Sequence, residues 1–445
     1  MVLWIGIDDT DSKDGGCTTY LGYRTICRLI KEGYDIIGYP RLVRLNPNIP
    51  WKTRGNGAIS FRIGRGRGKK LLVGEIEGIK IFSYSEGSEN GDRIDISEIK
   101  TVIEDEIKTS AFLSDENTNS GYVIAKKRPN RDVYERCVKE VVSLDDIKDL
   151  LDKLEAEYKG YKNCRGLIGA TAAISWEPVD RTFELITYRY KERWGTKREI
   201  DESSVIEMDK TVNSTFDNYD YGNNKVMIAP NSPCPVLFGI RGEYPDDLIR
   251  AKEMVRSEEY MGWLLFETNQ GTDDHIRRRK IAEIKPYESV AVEGVVEREP
   301  YTIKGGHVIF RLKDETSSID CTAYEPTKNF RDVIKELRVG DVLEVYGGVR
   351  EEPFTINIEK IRIKRLVEIE EKIENPLCDN CKVHMKSMGR GRGYRCRKCG
   401  ARKSESEAKF QTIKRKLKEG FYEVPPCARR HLSKPIKRIF YKILR

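Results

Sequence analysis

The sequence predicts an α+β, multidomain chain that ends in an OB-type β-barrel and a zinc ribbon. Three observations carry this reading. Helix-period and strand-period segments alternate irregularly over residues 1–280, which suits α+β better than a regular parallel array. Five β-rich runs with one inserted helix follow within 285–368. Two Cys-x2-Cys pairs, Cys378/Cys381 and Cys396/Cys399, then flank a hairpin-like stretch carrying Gly389, Gly391 and Gly393. A length of 445 residues allows three or so domains.

The chain opens with an apolar run, residues 2–7, that breaks into Asp8-Asp9-Thr10-Asp11. Asp14, the turn Gly15-Gly16 and the pair Thr18-Thr19 come next. This reads as a buried strand ending in carboxylates, then a glycine turn, then hydroxyls placed to cap a helix. Asp, Gly, Ser and Thr are also ordinary turn and cap residues. Four carboxylates crowded between Asp8 and Asp14 repel one another unless a cation or Lys13 offsets them. Carboxylates at a strand end can hold a divalent ion, and a helix N-terminus favours phosphate. The stretch therefore points to Mg2+ and a nucleotide, with Thr18 close by.

Residues 18–31 carry helical spacing, with Leu21, Ile26, Leu29 and Ile30 expected in the core. Residues 40–46 are extended, 46–50 form a proline-fixed loop, and 51–57 a glycine-punctuated turn before a strand at 58–63. The basic stretch 62–70 reads as a flexible loop, and 83–92 as a second, polar one. Helices are expected at 98–107, 144–158 and 166–174, and strands at 183–189 and 233–242. Residues 215–218 and 225–229 frame a further loop and strand. The barrel strands fall at 289–297, 307–312, 318–324, 342–349 and 355–363, with a helix at 329–337. This is the OB plan, often used for single-stranded nucleic acid.

The four cysteines predict a closed, structural Zn2+ site spanning 375–403, with no position left for water. His384 is expected at the surface. Arg390, Arg392, Arg395, Arg397 and Lys398 crowd the same module and suit phosphate. The net charge of +8 hides an asymmetry: residues 376–445 carry 21 basic and 5 acidic side chains, leaving the rest of the chain net negative. A basic segment, 404–445, is the electrostatic footprint expected for nucleic acid. No apolar run is long enough to span a bilayer, and Asp8 interrupts any secretory apolar region. A cytoplasmic, membrane-free protein is expected. Cys17 has no histidine near it in sequence.

The blocks Ile5-Gly6-Ile7-Asp8-Asp9-Thr10-Asp11-Ser12, Gly16-Cys17-Thr18-Thr19-Tyr20-Leu21 and Lys52-Thr53-Arg54-Gly55-Asn56-Gly57-Ala58 resemble the archaeal tRNA(isoleucine) 2-agmatinylcytidine synthetases, the TiaS family. So do Arg165-Gly166-Leu167-Ile168-Gly169-Ala170, Thr215-Phe216-Asp217-Asn218, Gly239-Ile240-Arg241-Gly242-Glu243 and Ala428-Arg429-Arg430-His431. The resemblance runs end to end. It implies a kinase-like catalytic domain interwoven with a ferredoxin-like domain over 1–280, then the OB-fold, the zinc ribbon and a tRNA-binding C-terminal segment. It further implies ATP, Mg2+ and structural Zn2+, with agmatine and an isoleucine tRNA as partners, the tRNA held at its anticodon region and acceptor stem. Agmatine is joined to C2 of the wobble cytidine, and Thr18 is phosphorylated from ATP.

By chemistry, Asp8, Asp9 and Asp11 would hold Mg2+ on the triphosphate. Gly16, Lys52, Arg54, Arg165 and Arg241 would face the nucleotide. Asp217 and Asn218 would suit cationic agmatine, and Arg429, Arg430 and Lys434 would meet tRNA phosphates. Two alternatives stand beside this reading: an RNA-binding OB-fold/zinc-ribbon adaptor, and a kinase that carries nucleic-acid modules. The intact Asp8–Asp11 cluster argues against the adaptor, because like charges kept together need a cation.

Overall fold

The computed structural model describes residues 2–88, 94–389 and 391–443, so Arg390 and the end of the 83–92 stretch lie outside it. In chain order the first part contains β1 (Leu3–Asp8), α1 (Thr18–Lys31), β2 (Asp35–Arg44), β3 (Gly57–Gly64), β4 (Gly66–Ile76), β5 (Ile79–Gly87), α2 (Ile96–Ser110), β6 (Gly121–Ala125), α3 (Arg131–Lys139), α4 (Leu144–Lys153) and β7 (Glu157–Gly160). It continues through α5 (Gly166–Ser175), β8 (Thr182–Tyr188), α6 (Glu202–Thr211), β9 (Thr215–Phe216), β10 (Tyr219–Asp220), β11 (Lys225–Val226), β12 (Val236–Gly242), α7 (Pro245–Met254) and β13 (Gly262–Thr268).

One mixed sheet of eleven strands joins these elements, in the order β7-β6-β1-β3-β2-β5-β4-β13-β8-β12-β9. β13 is the junction: it pairs antiparallel with β4 and β8, and parallel with β2 through Glu267–Arg41 and Thr268–Leu42. α1 lies over the β1–β3 part and buries Leu21, Ile26 and Leu29 completely, about 1.5–3 kcal/mol each. Ile30, at the rim, is half-buried against the same core. α5 covers the other face of β1, and its run of small residues lets it approach closely.

The barrel is built from β14 (Ile276–Arg278), β15 (Ser289–Thr302), β16 (Val308–Lys313), β17 (Ser318–Ala323), α8 (Phe330–Lys335), β18 (Val342–Val349) and β19 (Thr355–Arg365). Closure comes from β15 pairing with both β16 and β18. Alternate residues such as Val290, Val292, Phe310, Leu312, Val345 and Ile361 fill it. A ribbon of β20 (Ile369–Glu374) and β24 (Lys409–Ile413) leads to the cysteine module, whose short strands are β21 (Lys386–Ser387), β22 (Tyr394–Arg395) and β23 (Arg402–Lys403). β25 (Gly420–Glu423) then adds to β19, and α9 (Ile436–Ile443) ends the described chain.

Two expectations are corrected. Residues 66–70 and 83–87, expected in two loops, lie instead in the hairpin β4–β5, whose strands pair with each other along their length while β13 and β2 add short stretches at its edges. The helical segment 144–158 stops at Lys153, and Glu157–Gly160 joins the sheet. Residues 420–438 are folded onto the body. Arg438 is buried between Asp180 (2.6 Å) and Glu243 (2.5 Å), and the amides of Gly271 and Asp273 donate to the carbonyls of His431 and Leu432.

Candidate active site

β1 delivers Asp8 as its last residue, and the chain turns sharply there. Asp9 sits in the left-handed region at φ +56°, and Gly16 at +67° redirects the backbone into α1. Thr18 is the first helical residue, and Cys17 stands at the N-cap without a side-chain capping bond. The expected hydroxyl cap is therefore absent. The Thr18 hydroxyl instead lies 3.1 Å from that of Thr10, and Thr19 pairs with the Cys17 thiol at 3.0 Å. With no side-chain cap, the first-turn N–H groups of α1 are available to an anion.

Burial, then the neighbouring Asp9 charge, hold the Asp8 carboxyl well above the usual carboxylate range. Burial and Asp11 push Asp9 up to about 6, although its carboxylate accepts from the Asn119 amide at 3.1 Å. A divalent cation would reverse both shifts. Asp11 is engaged differently: Arg54 pairs with it at 2.6 Å and reaches on to the Gly16 carbonyl at 2.6 Å. Among the described residues these three carboxylates do not converge within 4.8 Å of one another. Asp8 and Asp9, which lack the Arg54 partner of Asp11, are the two candidate ligands for Mg2+. That fits Mg2+, which commonly takes one or two carboxylates and completes its shell with phosphate and water. Gly169 of α5 is essential to this packing, since a Cβ there would fall 1.8 Å from Asp8 Oδ2.

Asp8, Asp9, Asp11 and Thr18 open onto one cavity of about 300 Å³. Lys52, Arg54, Arg165 and Arg241 line it too. Burial and Arg430 lower the Lys52 amine to about 8. Arg165 stacks on the ring of Trp51 at 4.3 Å. Gly16 lies just behind the wall, tied through its carbonyl to Arg54.

The opposite wall was not legible in the sequence. Glu184 on β8 lies 4.0 Å from Arg44 and 3.9 Å from Arg241. His431, from the C-terminal segment, also faces the cavity. Arg44, burial and Arg241 hold its imidazole well below the usual histidine range, so it is neutral. Cys17 lines the same cavity, but burial raises its thiol and favours the unreactive form.

The remaining candidates lie outside the cavity and have internal partners. Asp217 pairs with Arg429 and lies 3.8 Å from Arg241. Asn218 is buried against Asp209 and Thr215. Arg429 is almost fully buried and also meets Glu423 at 2.6 Å. Arg430 reaches Asn48 and, at 3.3 Å, Glu359, while Lys434 reaches Asp180 at 2.8 Å. In this structure the three cations, expected to meet phosphate, each pair with a carboxylate of the body.

The sulfurs of Cys378, Cys381, Cys396 and Cys399 lie within 4.8 Å of one another. Backbone N–H groups, that of Cys399 first, pull the Cys396 thiol down to about 6. Four converging sulfurs, one already favouring thiolate, fit tetrahedral Zn2+. His384 is exposed and bonds the Asn375 carbonyl at 2.9 Å, as expected of a non-ligand. Stripping Zn2+ with a strong chelator should unfold this module and weaken tRNA binding at least tenfold. Far-UV circular dichroism of the eleven-stranded body should hardly change; a global unfolding transition would contradict the assignment.

These features define a class: a phosphate-handling catalytic body joined to two nucleic-acid-type modules. No described helix is long and apolar enough to cross a membrane. The model of the TiaS TCKD domain matches residues 4–163, the TiaS FLD domain 164–275, an OB-fold nucleic acid binding domain 290–364, and the TiaS C-terminal zinc ribbon domain 375–417. The isoleucine-tRNA 2-agmatinylcytidine synthetase TiaS of Methanocaldococcus jannaschii is 45% identical over 99% of both chains, and that of Archaeoglobus fulgidus 43% over 99% of this chain and 98% of its own. A crystallised complex of TiaS with its isoleucine tRNA and ATP superposes with a TM-score of 0.85 at 42% identity, covering 98% of this chain and 97% of that one. A complex of TiaS with the same tRNA, AMPCPP and agmatine gives 0.81 at 41%, with the same coverage. The chain belongs to the TiaS family.

Proposed function

We propose that this chain is the ATP-dependent ligase that conjugates agmatine to the minor isoleucine tRNA. One observation carries the reading at the level of residues: the carboxylates of β1, Thr18 at the bare start of α1, and the Glu184–Arg241–His431 wall share one cavity. An adaptor without catalysis would have no use for a buried pair of carboxylates whose charges oppose each other.

The bond made is C–N at C2 of the wobble cytidine, and the bond broken is C2–O. The carbonyl oxygen is a poor leaving group. Phosphoryl transfer to it creates a good one, and the primary amine of agmatine then attacks C2. Phosphate departs with the former carbonyl oxygen, and the amine nitrogen loses its proton. Asp8 and Asp9 would hold Mg2+, which would supply charge neutralisation on the triphosphate. Thr18 receives or relays phosphate where the first-turn amides of α1 hold it. Arg54 keeps Asp11 and the Gly16 turn in position, while Lys52, Arg165 and Arg241 offset phosphate charge. The target base leaves the anticodon stack to enter, at a cost of a few kcal/mol or less in a single-stranded loop. A tRNA substrate fits a cytoplasmic reaction.

Incubation with ATP, agmatine and the isoleucine tRNA, followed by mass spectrometry of the wobble nucleoside, tests the reading. The expected product carries agmatine in place of the C2 oxygen; an unmodified cytidine would overturn it. Thr18→Ala should reduce product formation at least a hundredfold with tRNA affinity within threefold of the parent. Unchanged turnover would remove Thr18 from the phosphate path.

A further inference from the structure

The hairpin β4–β5 carries a basic stripe that the catalytic cavity does not use. Within residues 65–70 there are four cations and no carboxylate: Arg65, Arg67, Lys69 and Lys70. All four side chains are exposed. The strand register sets Lys70 opposite Tyr84 and Leu72 opposite Phe82, so these share the outer face. Lys70 lies 5.5 Å from the Tyr84 ring and 6.0 Å from that of Phe82. The Tyr84 ring covers Gly66, where a Cβ would come within 2.1 Å of it. A shift in register between Arg67 and Lys70 raises Gly68 and Lys69 off the sheet.

Several buried cations elsewhere in the body have carboxylate partners: Arg41 with Glu267, Arg189 with Glu258, Arg241 with Asp217, Arg438 with Asp180. Among the described residues Arg67, Lys69 and Lys70 form no ion pair with a carboxylate, not even with Glu86 across from Arg67. They stand on the net-acidic part of the chain that precedes the zinc ribbon. Unpaired cations interleaved with aromatic rings match a polyphosphate backbone with accessible sugars and bases.

The stripe is also remote from the chemistry. β5 meets β2 at Ile36 and Ile37, whereas the opposite end of β2, Arg44, enters the cavity. The strand from Ile37 to Arg44 separates the two by about 23 Å at the usual rise.

Resting on the tRNA reading above, we infer that Arg67, Lys69 and Lys70 on the β4–β5 hairpin form a second contact surface for the tRNA phosphate backbone. It acts on affinity alone and takes no part in the reaction.

The test is tRNA binding to the full chain as a function of salt. The triple variant R67A/K69A/K70A should bind about ten- to fiftyfold more weakly near 0.15 M salt. Its log–log salt slope should be shallower by about 2–3, since each phosphate contact contributes about 0.7–0.9. Turnover at saturating tRNA and the KM for agmatine should stay within twofold. The charge-preserving variant R67K/K69R/K70R should behave as the parent, and K69E alone should flatten the slope by about 1. A triple variant with the parent's affinity and slope overturns the inference, as does a fall in saturated turnover with affinity intact. Failure of the parent to modify tRNA would instead strike the functional reading.

Discussion

Asp8→Asn should abolish ATP-dependent agmatine transfer, with turnover down at least about a thousandfold, while tRNA binding stays within about threefold of the parent. The substitution keeps the volume beside Gly169, where the carboxylate already touches α5, so packing is little disturbed. It removes a carboxyl that burial, and then the Asp9 charge, hold well above the usual carboxylate range. Two consequences separate in the measurement. Mg2+ affinity, followed by the Mg2+ dependence of ATP binding, should fall with turnover, because one carboxylate is lost from a pair. Thermal stability should rise or stay level, since a buried like-charge repulsion has gone. Retained turnover would place the metal elsewhere.

The second large effect is structural. Arg438→Ala should destabilise the protein by about 3–5 kcal/mol, because it strips Glu243 of its cation, leaves Asp180 with Lys434 alone, and opens a void between them. The side chain also donates to the carbonyls of Gly271 and Arg181, at 2.7 and 2.8 Å. Its loss frees the segment that carries His431 into the cavity, so activity should fall together with the midpoint of unfolding. Arg438→Lys would restore one contact but not the fork that grips both carboxylates, and should recover less than half of the stability. A midpoint shift under 2 °C for the alanine variant would show that the segment is held by other means.

Much of this was legible in the sequence where the signal was local. The helical spacing of residues 18–31 gave the helix Thr18–Lys31, since its apolar stripe, its glycine-led start and its basic end agree. The barrel strands were equally readable, because alternation of the type Val290, Val292, Phe310 and Leu312 needs no distant information. The four cysteines announced themselves by spacing. Residues 66–76 misled for a specific reason: glycines and cations suggest a loop, and what makes them a strand is pairing along β5, with β13 adding only to Gly74–Ile76. The ties of Arg429 to Asp217 and of Lys434 to Asp180 were not legible either, because charge alone does not name a partner so distant in sequence. Glu184 and His431 carried no local signal, as they become neighbours only when the sheet and the C-terminal segment are both in place.

The shared sheet also governs how the protein can be made. β1 to β7 leave the ribosome before residues 262–268 exist, so β4 waits as an open edge until its antiparallel partner is synthesised. The N-terminal half is for that period an unfinished template, exposed to pairing with another chain. Expressed alone, residues 1–163 should aggregate, even though a single family model covers almost all of them. The evolutionary module and the sheet therefore differ in extent: one sheet spans two modules and is joined by a strand from the second.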